Sequence, residues 1–216
     1  MFMNNSQLIQ ILNTRVLFNR SSGLTLMLLF SVSLSTAAIL TVKQDGTGNF
    51  TGIQQAYLAA SSGDTILVYP GTYYENLDIT NSSKGITIAS LYLTTQDESY
   101  IHNTIIDGNQ NGSCIALKNT DQAVVTIIGF TVQNGNGFNN FTSGGGIYIE
   151  HANPKIRNCI IQNNNTKAGG GIFSKYSTFL LSGTTIRFNH SYLIGGGLYF
   201  GYEANAIFDT TSTLLK

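Results

Sequence analysis

The chain has 216 residues, of which 42% are hydrophobic and only 10% charged, with 11 basic and 11 acidic side chains. The apolar content is too high for a disordered chain, and the even charge balance leaves no excess of basic residues to bind a polyanion such as nucleic acid. The length suits one folded domain plus a processed segment.

The beginning of the chain has the features of a signal peptide. Two arginines precede an apolar run over residues 24–34, and the small residues "STA" follow it. Basic residues, a short apolar run and a cleavage site of small residues are typical of export signals. We therefore predict a signal peptide over residues 1–37, no transmembrane segment in the mature chain, and export from the cell. An uncleaved membrane anchor is the alternative.

A strand and a short helix are predicted over residues 38–63. Thr51 is a plausible N-cap for a helix over residues 51–61. Four apolar residues fall on one face of this helix at helical spacing: Ile53, Ala56, Tyr57 and Ala60. We predict no other helix, and we expect this one to cap the N-terminal end of the structure that follows.

The stretch "GGGIYIE" at 144–150 returns as "GGGIFSK" from Gly169 and "GGGLYFG" from Gly195, at intervals of 25 and 26 residues. Between the triplets lie short β-branched and aromatic runs broken by Gly and Asn, which excludes a solenoid with a helix in every repeat. A repeat of this length stacks units that bury their apolar faces against neighbours. The pattern predicts an all-β fold, a parallel β-helix of roughly six coils over residues 64–216, with glycine at its corners.

The same repeat aligns a second set of residues. Ile161 corresponds to Ile186, and Asn164 corresponds to Asn189. Because equivalent residues lie above one another in a β-helix, we expect the asparagine amides to form a ladder from coil to coil.

Two segments carry a family resemblance. The stretch "VKQDGTGNFTGIQQAYLAASSGDTILVYPGTYYENL" resembles the start of pectin lyase-like proteins, particularly pectinesterases. The segments "NTIIDGNQNGS", "GFTVQNGNG" and the "GGGI(Y/F)…NCIIQNN" units resemble right-handed parallel β-helix proteins of bacterial surfaces, including polymorphic outer membrane protein repeats. The resemblance implies a right-handed β-helix that is secreted or lies at the cell surface, associated with the outer membrane. It also implies further coils or a sorting domain, so the chain is interpreted as truncated at its C-terminus.

The residues that such enzymes use are missing from the sequence pattern. Lyases of this fold gather acids around calcium, whereas here the only adjacent pair is Asp97 and Glu98. Pectinesterases use two aspartates, oxyanion-stabilising glutamines and an arginine, but "FTVQN" is followed by no acid until Glu150. We therefore interpret Gln133 and Gln162 as corner amides and predict no catalytic residue, metal site or cofactor.

One surface feature suggests binding. The aligned triplets place Tyr148, Phe173 and Tyr199 at one position on the outer side of successive strands. Such a stripe could bind a sugar ring or a partner chain, or it could be a stiffening ladder covered by a loop such as "NGFNNF". Alternation also places Glu150 beside Lys175, where we expect a solvent-exposed pair.

The sequence thus favours an exported, non-catalytic, adhesin-like β-helix that contacts a polysaccharide or cell-surface glycan. The alternatives are a polysaccharide-active lyase or pectinesterase-like enzyme whose catalytic coils are missing, and an inert gene fragment. The oligomeric state and a bridge between Cys114 and Cys159 stay open.

Overall fold

A computed structural model describes residues 36–138, 143–209 and 211–214. The chain divides into the units Met1–Ser35 and Thr36–Lys216, and all described residues belong to the second. The predicted signal peptide over residues 1–37 lies almost wholly outside the described residues. In the part of the chain that is described, no helix has the length and apolarity to span a bilayer.

Three sheets of short parallel strands form the body of the protein. Sheet A has seven strands: β1 (Ile39–Val42), β2 (Thr65–Val68), β5 (Ile86–Ser90), β8 (Val125–Ile128), β11 (Lys155–Arg157), β15 (Thr178–Ser182) and β19 (Asn205–Phe208). Sheet B has six: β3 (Gly71–Tyr74), β6 (Thr104–Asp107), β9 (Thr131–Gln133), β12 (Ile160–Gln162), β16 (Thr185–Arg187) and β20 (Thr213–Leu214). Sheet C has five: β4 (Leu77–Thr80), β7 (Ile115–Lys118), β10 (Ile147–Glu150), β14 (Ile172–Lys175) and β18 (Leu198–Phe200).

From β2 onward, a coil contributes one strand to sheet A, then one to sheet B and one to sheet C, and the next coil begins again in sheet A. A small sheet D, formed by β13 (Asn165–Ala168) and β17 (His190–Ile194), lies between B and C in two coils. Each strand pairs in parallel with its equivalent in the next coil, for example Ile161 with Ile186. The predicted all-β parallel β-helix is confirmed.

Alternation along the strands separates the core from the surface. Ile88, Ile127 and Ile156 stack in register along sheet A and are fully buried. Sheets B and C contribute equivalent apolar columns, and together these columns form one continuous core. Because all three sheets turn their apolar side inward, burial of these columns is the main driving force for stacking the coils.

The predicted amide ladder is confirmed inside this core. Asn164 is buried, and its Nδ2 donates to the backbone oxygen of Val132 at 3.1 Å and to Oδ1 of Asn189 at 3.0 Å. Asn189 in turn donates through Nδ2 to the backbone oxygen of Ile161 at 2.8 Å. The amides thus satisfy buried backbone groups where the chain leaves sheet B.

The N-terminal helix α1 (Ile53–Ala59) forms as predicted but is capped differently. Its N-cap is Gly52, not Thr51, and no side chain of its own segment caps it. Instead the Glu75 carboxylate accepts hydrogen bonds from the backbone N–H groups of Ile53 and Gln54, at 2.9 and 2.8 Å. A carboxylate at this position also interacts favourably with the positive end of the helix dipole, so a residue distant in sequence does the capping.

The expectation of a single helix was wrong. Two short helices, α2 (Tyr92–Thr95) and α3 (Ser99–Asn103), lie between β5 and β6. Helices this short are not stable on their own and depend on tertiary contacts. One such contact is the hydrogen bond from Oγ1 of Thr131 to the backbone oxygen of Ile101, at 2.9 Å.

Cys114 and Cys159 are both buried free thiols, so the open question of a bridge between them is resolved against one. Burial raises the pKa of Cys114 to about 12 and that of Cys159 to about 11. Neither thiol ionises near neutral pH, and both act as small core residues.

The corner glycines meet two different demands. The first glycine of a triplet, such as Gly169 with φ of +65°, adopts the left-handed conformation. At the second, Gly170, a Cβ atom would overlap the backbone oxygens of His190 and Gly196 in the next coil. Gly183 also has a positive φ of +56°, but its equivalent in the preceding coil is Asn158 with φ of +50°.

We therefore expect Gly170→Ala to destabilise the protein by about 2 kcal/mol or more, because backbone atoms of the neighbouring coil cannot move aside. Gly183→Asn is the control and should cost less than about 1 kcal/mol, since asparagine tolerates this conformation and the added Cβ, 2.6 Å from Nδ2 of Asn158, meets only the end of a flexible side chain. Urea denaturation of the two variants measures the difference. Equal losses of stability would show that the corner triplet makes no special demand.

Candidate functional site

The predicted aromatic stripe forms as a column on sheet C but is not an open surface. Tyr148 stacks on Phe173, and Phe173 on Tyr199, each pair with ring centroids 5.4 Å apart. Tyr148 is only 2% exposed and Phe173 only 9%. Phe138, from the predicted covering loop, stacks on Tyr148 at 4.6 Å. Tyr148 and Phe173 do lie on the side of sheet C opposite the core residues Ile147 and Ile172, but they are covered, as in the alternative of a stiffening ladder, and Phe138 is the covering residue that the structure describes.

Glu150 is also buried, at 9% exposure, so the expected solvent-exposed pair with Lys175 was wrong. Its Oε1 lies 2.9 Å from Nζ of Lys175 in the next coil, and its Oε2 lies 3.4 Å from Nζ of Lys118 in the preceding one. The hydroxyl of Tyr148 donates to Oε2 at 2.8 Å. One carboxylate therefore joins two lysines and a buried phenol.

This arrangement favours the ionised form of Glu150. Burial raises the pKa of the carboxyl group, but the hydrogen bonds from Lys175 and Tyr148 and the charges of both lysines outweigh burial and lower it. Burial, followed by the bond to Glu150, raises the pKa of Tyr148 well above its usual range. The cluster stabilises the fold and offers no free group to a ligand.

The outer face of sheet B carries a different column, which we call the amide column: Asp107, Gln133, Gln162 and Arg187, in register on β6, β9, β12 and β16. Nε of Arg187 donates to Oε1 of Gln162 at 3.0 Å. Gln162 donates through Nε2 to Gln133 at 3.4 Å, and Gln133 donates to Oδ2 of Asp107 at 3.0 Å. The hydrogen bonds all run in one direction, from a cation to an anion three coils away.

Asp107, at the lower end of the amide column, accepts hydrogen bonds on both carboxyl oxygens. Its Oδ2 also accepts from Nδ2 of Asn134 at 2.7 Å, and its Oδ1 accepts from the backbone of Asn109 at 2.9 Å. Among the described residues the two ion pairs both involve Glu150, so neither Asp107 nor Arg187 has a charged partner there. The carboxylate is satisfied by amide donors alone.

A cleft of about 250 Å³ lies beyond the carboxyl ends of β9 and β12, beside the amide column. We call it the amide cleft, and its lining residues are Gln110, Asn134, Gly135, Asn136, Asn163, Asn165, Thr166 and Tyr192. Five of these residues carry side-chain amides, and none carries a carboxylate, an ammonium, a guanidinium or an imidazole. The cleft is therefore polar without formal charge.

A second cleft, of about 260 Å³, lies over the amino-terminal halves of β12 and β16. Glu98 and His102 line it from the α2–α3 segment, and Arg187 lines it from sheet B. Asp97 next to Glu98 uses its Oδ1 to accept from the backbone of Ser99 at 2.9 Å. Among the residues that the structure describes, no group of three or more His, Cys, Asp or Glu is placed to hold a metal ion.

Gln133 and Gln162 were predicted as corner amides, but the residues around them carried no signal that was recognised in the sequence. Asp107, Arg187 and Tyr192 were not predicted to belong to a site. The regular repeat could have linked Gln162 to Arg187, which are 25 residues apart and stack. It could not have revealed Tyr192, which comes from the additional strands of sheet D.

Comparison with known proteins adds no family. No protein-family model matches the sequence, and a search of curated proteins finds no significant match. The stacked parallel sheets agree with the β-helix part of the resemblance described above, and the structure alone carries this agreement.

The Glu150 cluster makes a testable contribution to stability. We expect Glu150→Gln to destabilise the protein by about 1–3 kcal/mol at pH 7, because two lysines lose their shared partner. Glu203→Gln removes an exposed carboxylate and should have almost no effect. Urea denaturation of both variants measures the difference.

The effect of Glu150→Gln should also depend on pH. Since the folded-state pKa of Glu150 is lowered from its ordinary 4.5, the ionised group stabilises the fold above that value, and the contribution disappears as the pH falls through the folded pKa. The gap between wild type and Glu150→Gln should narrow below pH 4.5. A gap that stays constant with pH would contradict an ionic origin.

Proposed function

We propose that this protein is an exported, non-catalytic β-helix that contacts a glycan through the outer face of sheet B. The observation that carries the proposal is the amide cleft, with its five amide side chains beside a tyrosine. Amides both donate and accept hydrogen bonds, as the hydroxyl groups of a sugar also do. The aromatic column on sheet C, with two of its three predicted residues buried, supports this role less well.

Tyr192 gives the cleft an apolar surface. Its side chain is 66% exposed and reaches Asn165, whose Nδ2 donates to the phenol oxygen at 2.7 Å. An aromatic ring beside polar groups suits the C–H face and the hydroxyl edge of a sugar. The neighbouring Gln162 and Arg187 extend the polar surface over further coils, which suits a chain rather than an isolated sugar.

The proposal includes the finer parts of the resemblance. We place the protein among pectin lyase-like surface proteins with polymorphic outer membrane protein-like repeats, directed out of the cell by a signal peptide over residues 1–37. Contact with a polysaccharide or cell-surface glycan then corresponds to an adhesin-like role. Support comes from the quoted sequence segments and from the stacked coils.

A pectinesterase-like hydrolase is the second candidate, because the amide column unites one aspartate, two glutamines and an arginine. These are residue types that the resemblance assigns to pectinesterases. The column lacks the second aspartate, since Tyr74 rather than an acid precedes Asp107 in it. Both oxygens of Asp107 already accept hydrogen bonds, so neither is free to take up a substrate or an attacking water. Non-catalytic binding therefore has the better support.

Binding should depend on Tyr192. We expect the full chain to be retained on at least one member of a panel of immobilised neutral and acidic polysaccharides, and Tyr192→Ala to weaken retention at least fivefold through loss of the ring surface. Tyr202→Ala is the control, because Tyr202 is 77% exposed and lies outside the cleft. Equal retention of the two variants, or none by the wild-type chain, would contradict glycan contact at this site.

The enzyme alternative has its own test. We expect no methanol release from methyl-esterified polygalacturonate by the full chain, because the column has one carboxylate and that carboxylate is occupied. Asp107→Asn is the matched variant. Methanol release that this variant abolishes would establish the esterase in place of non-catalytic binding.

A further inference from the structure

The hydrogen-bonding state of the amide cleft indicates which class of glycan it accepts. Oδ1 of Asn165 is buried and has no hydrogen-bond partner among the described residues. The other end of the same amide donates to Tyr192, so the amide is half satisfied. A buried acceptor without a donor costs free energy in the unliganded protein, and a donor that reaches it recovers this cost.

Other groups at the cleft are also available to a ligand. The side-chain amides of Gln110 and Asn163 are exposed at the cleft and make no hydrogen bond within the described residues. Asn136 differs, because it is held through Nδ2 by the backbone of Gln110 and through Oδ1 by the N–H of Gly112. The cleft therefore combines a fixed wall with two amides that are free to adjust to a ligand.

The charge of the lining itself disfavours an anion inside the cleft, because Arg187 of the amide column and His190, which pairs with Asn165, both lie outside the lining. No cationic side chain lines the cleft, and Asp107 lies directly behind it, bound to Asn134 of the lining. A carboxylate placed here would lose water without gaining a cation, and it would present a second acceptor to Oδ1 of Asn165. Hydroxyl groups donate as well as accept and carry no such penalty.

We propose that the amide cleft selects an uncharged saccharide unit, one hydroxyl of which donates to Asn165 after Tyr192 has moved aside. The side chain of Tyr192 is 66% exposed and is held by the hydrogen bond from Nδ2 of Asn165 and by an edge contact with the His190 ring at 5.1 Å. Once it rotates away, the saccharide meets both ends of the amide, one hydroxyl donating to Oδ1 and another accepting from the vacated Nδ2, and the tyrosine ring packs on the sugar. This inference rests on the proposed glycan contact. It adds that the bound saccharide is uncharged and that Asn165 is the residue that recognises it.

If this is right, the Asn165 side chain contributes to ligand binding but does not raise the stability of the free protein. Asn165→Ala removes the half-satisfied amide, so we expect a melting temperature that is unchanged or higher than that of the wild type. The same variant should bind its saccharide at least tenfold more weakly. Asn205→Ala is the control, since Asn205 is an exposed strand asparagine away from the cleft.

The experiment is calorimetric titration of the full chain with neutral tetrasaccharides (cellotetraose, mannotetraose, xylotetraose and chitotetraose) and with tetragalacturonate. We expect at least one neutral probe to bind at least tenfold more tightly than tetragalacturonate. Its affinity should change less than twofold between low and high salt, because no ionic contact is involved.

Tetragalacturonate binding as tight as that of every neutral probe would overturn the charge selectivity while leaving glycan contact in place. Unchanged neutral binding by Asn165→Ala, or a clear fall in its melting temperature, would overturn the role of Asn165. Failure of all saccharides to bind would overturn both this inference and the proposed function.

Discussion

The structure depends on one interaction, the parallel hydrogen bonding of each strand to its equivalent in the next coil. In sheet B, for example, Ile160 pairs with Thr185 and Gln162 with Arg187. Because the register is conserved from coil to coil, residues at equivalent positions become vertical neighbours at about 4.8 Å. Side chains on the paired strands therefore form columns. The residue types found in a column are those that can lie next to one another at that spacing.

This spacing explains which residues stack. Apolar and aromatic side chains tolerate identical neighbours, and asparagine amides can bond to one another, as Asn164 and Asn189 do. Like charges at equivalent positions would repel one another. Glu150 accordingly lies between two lysines, and two glutamines separate Asp107 from Arg187. Charge is thus either alternated or spaced by amides along the coil axis.

The same rule gives sheet B a different surface from sheet C. On sheet C two of the three column aromatics are buried, with Phe138 stacked on Tyr148, so this face contributes stability. On sheet B the column consists of amides, and the turns that follow its strands add the asparagines of the amide cleft. The polar groups there are not all paired with one another: Oδ1 of Asn165 is buried without a partner among the described residues, and the side chains of Gln110 and Asn163 are exposed. Binding is best supported where the columns leave hydrogen-bonding capacity unused.

The sequence by itself determined the period, the parallel coils, the corner glycines and the Asn164–Asn189 ladder, because these depend on spacing within adjacent repeats. Only the tertiary structure decided which outward positions are covered and which distant residues meet. Phe138 buries Tyr148, Glu75 caps α1, and Asp107 reaches Gln133 only because loops of unequal length return each strand to the same register. Loop length and path are set by long-range contacts, and a local repeat pattern carries no information about them.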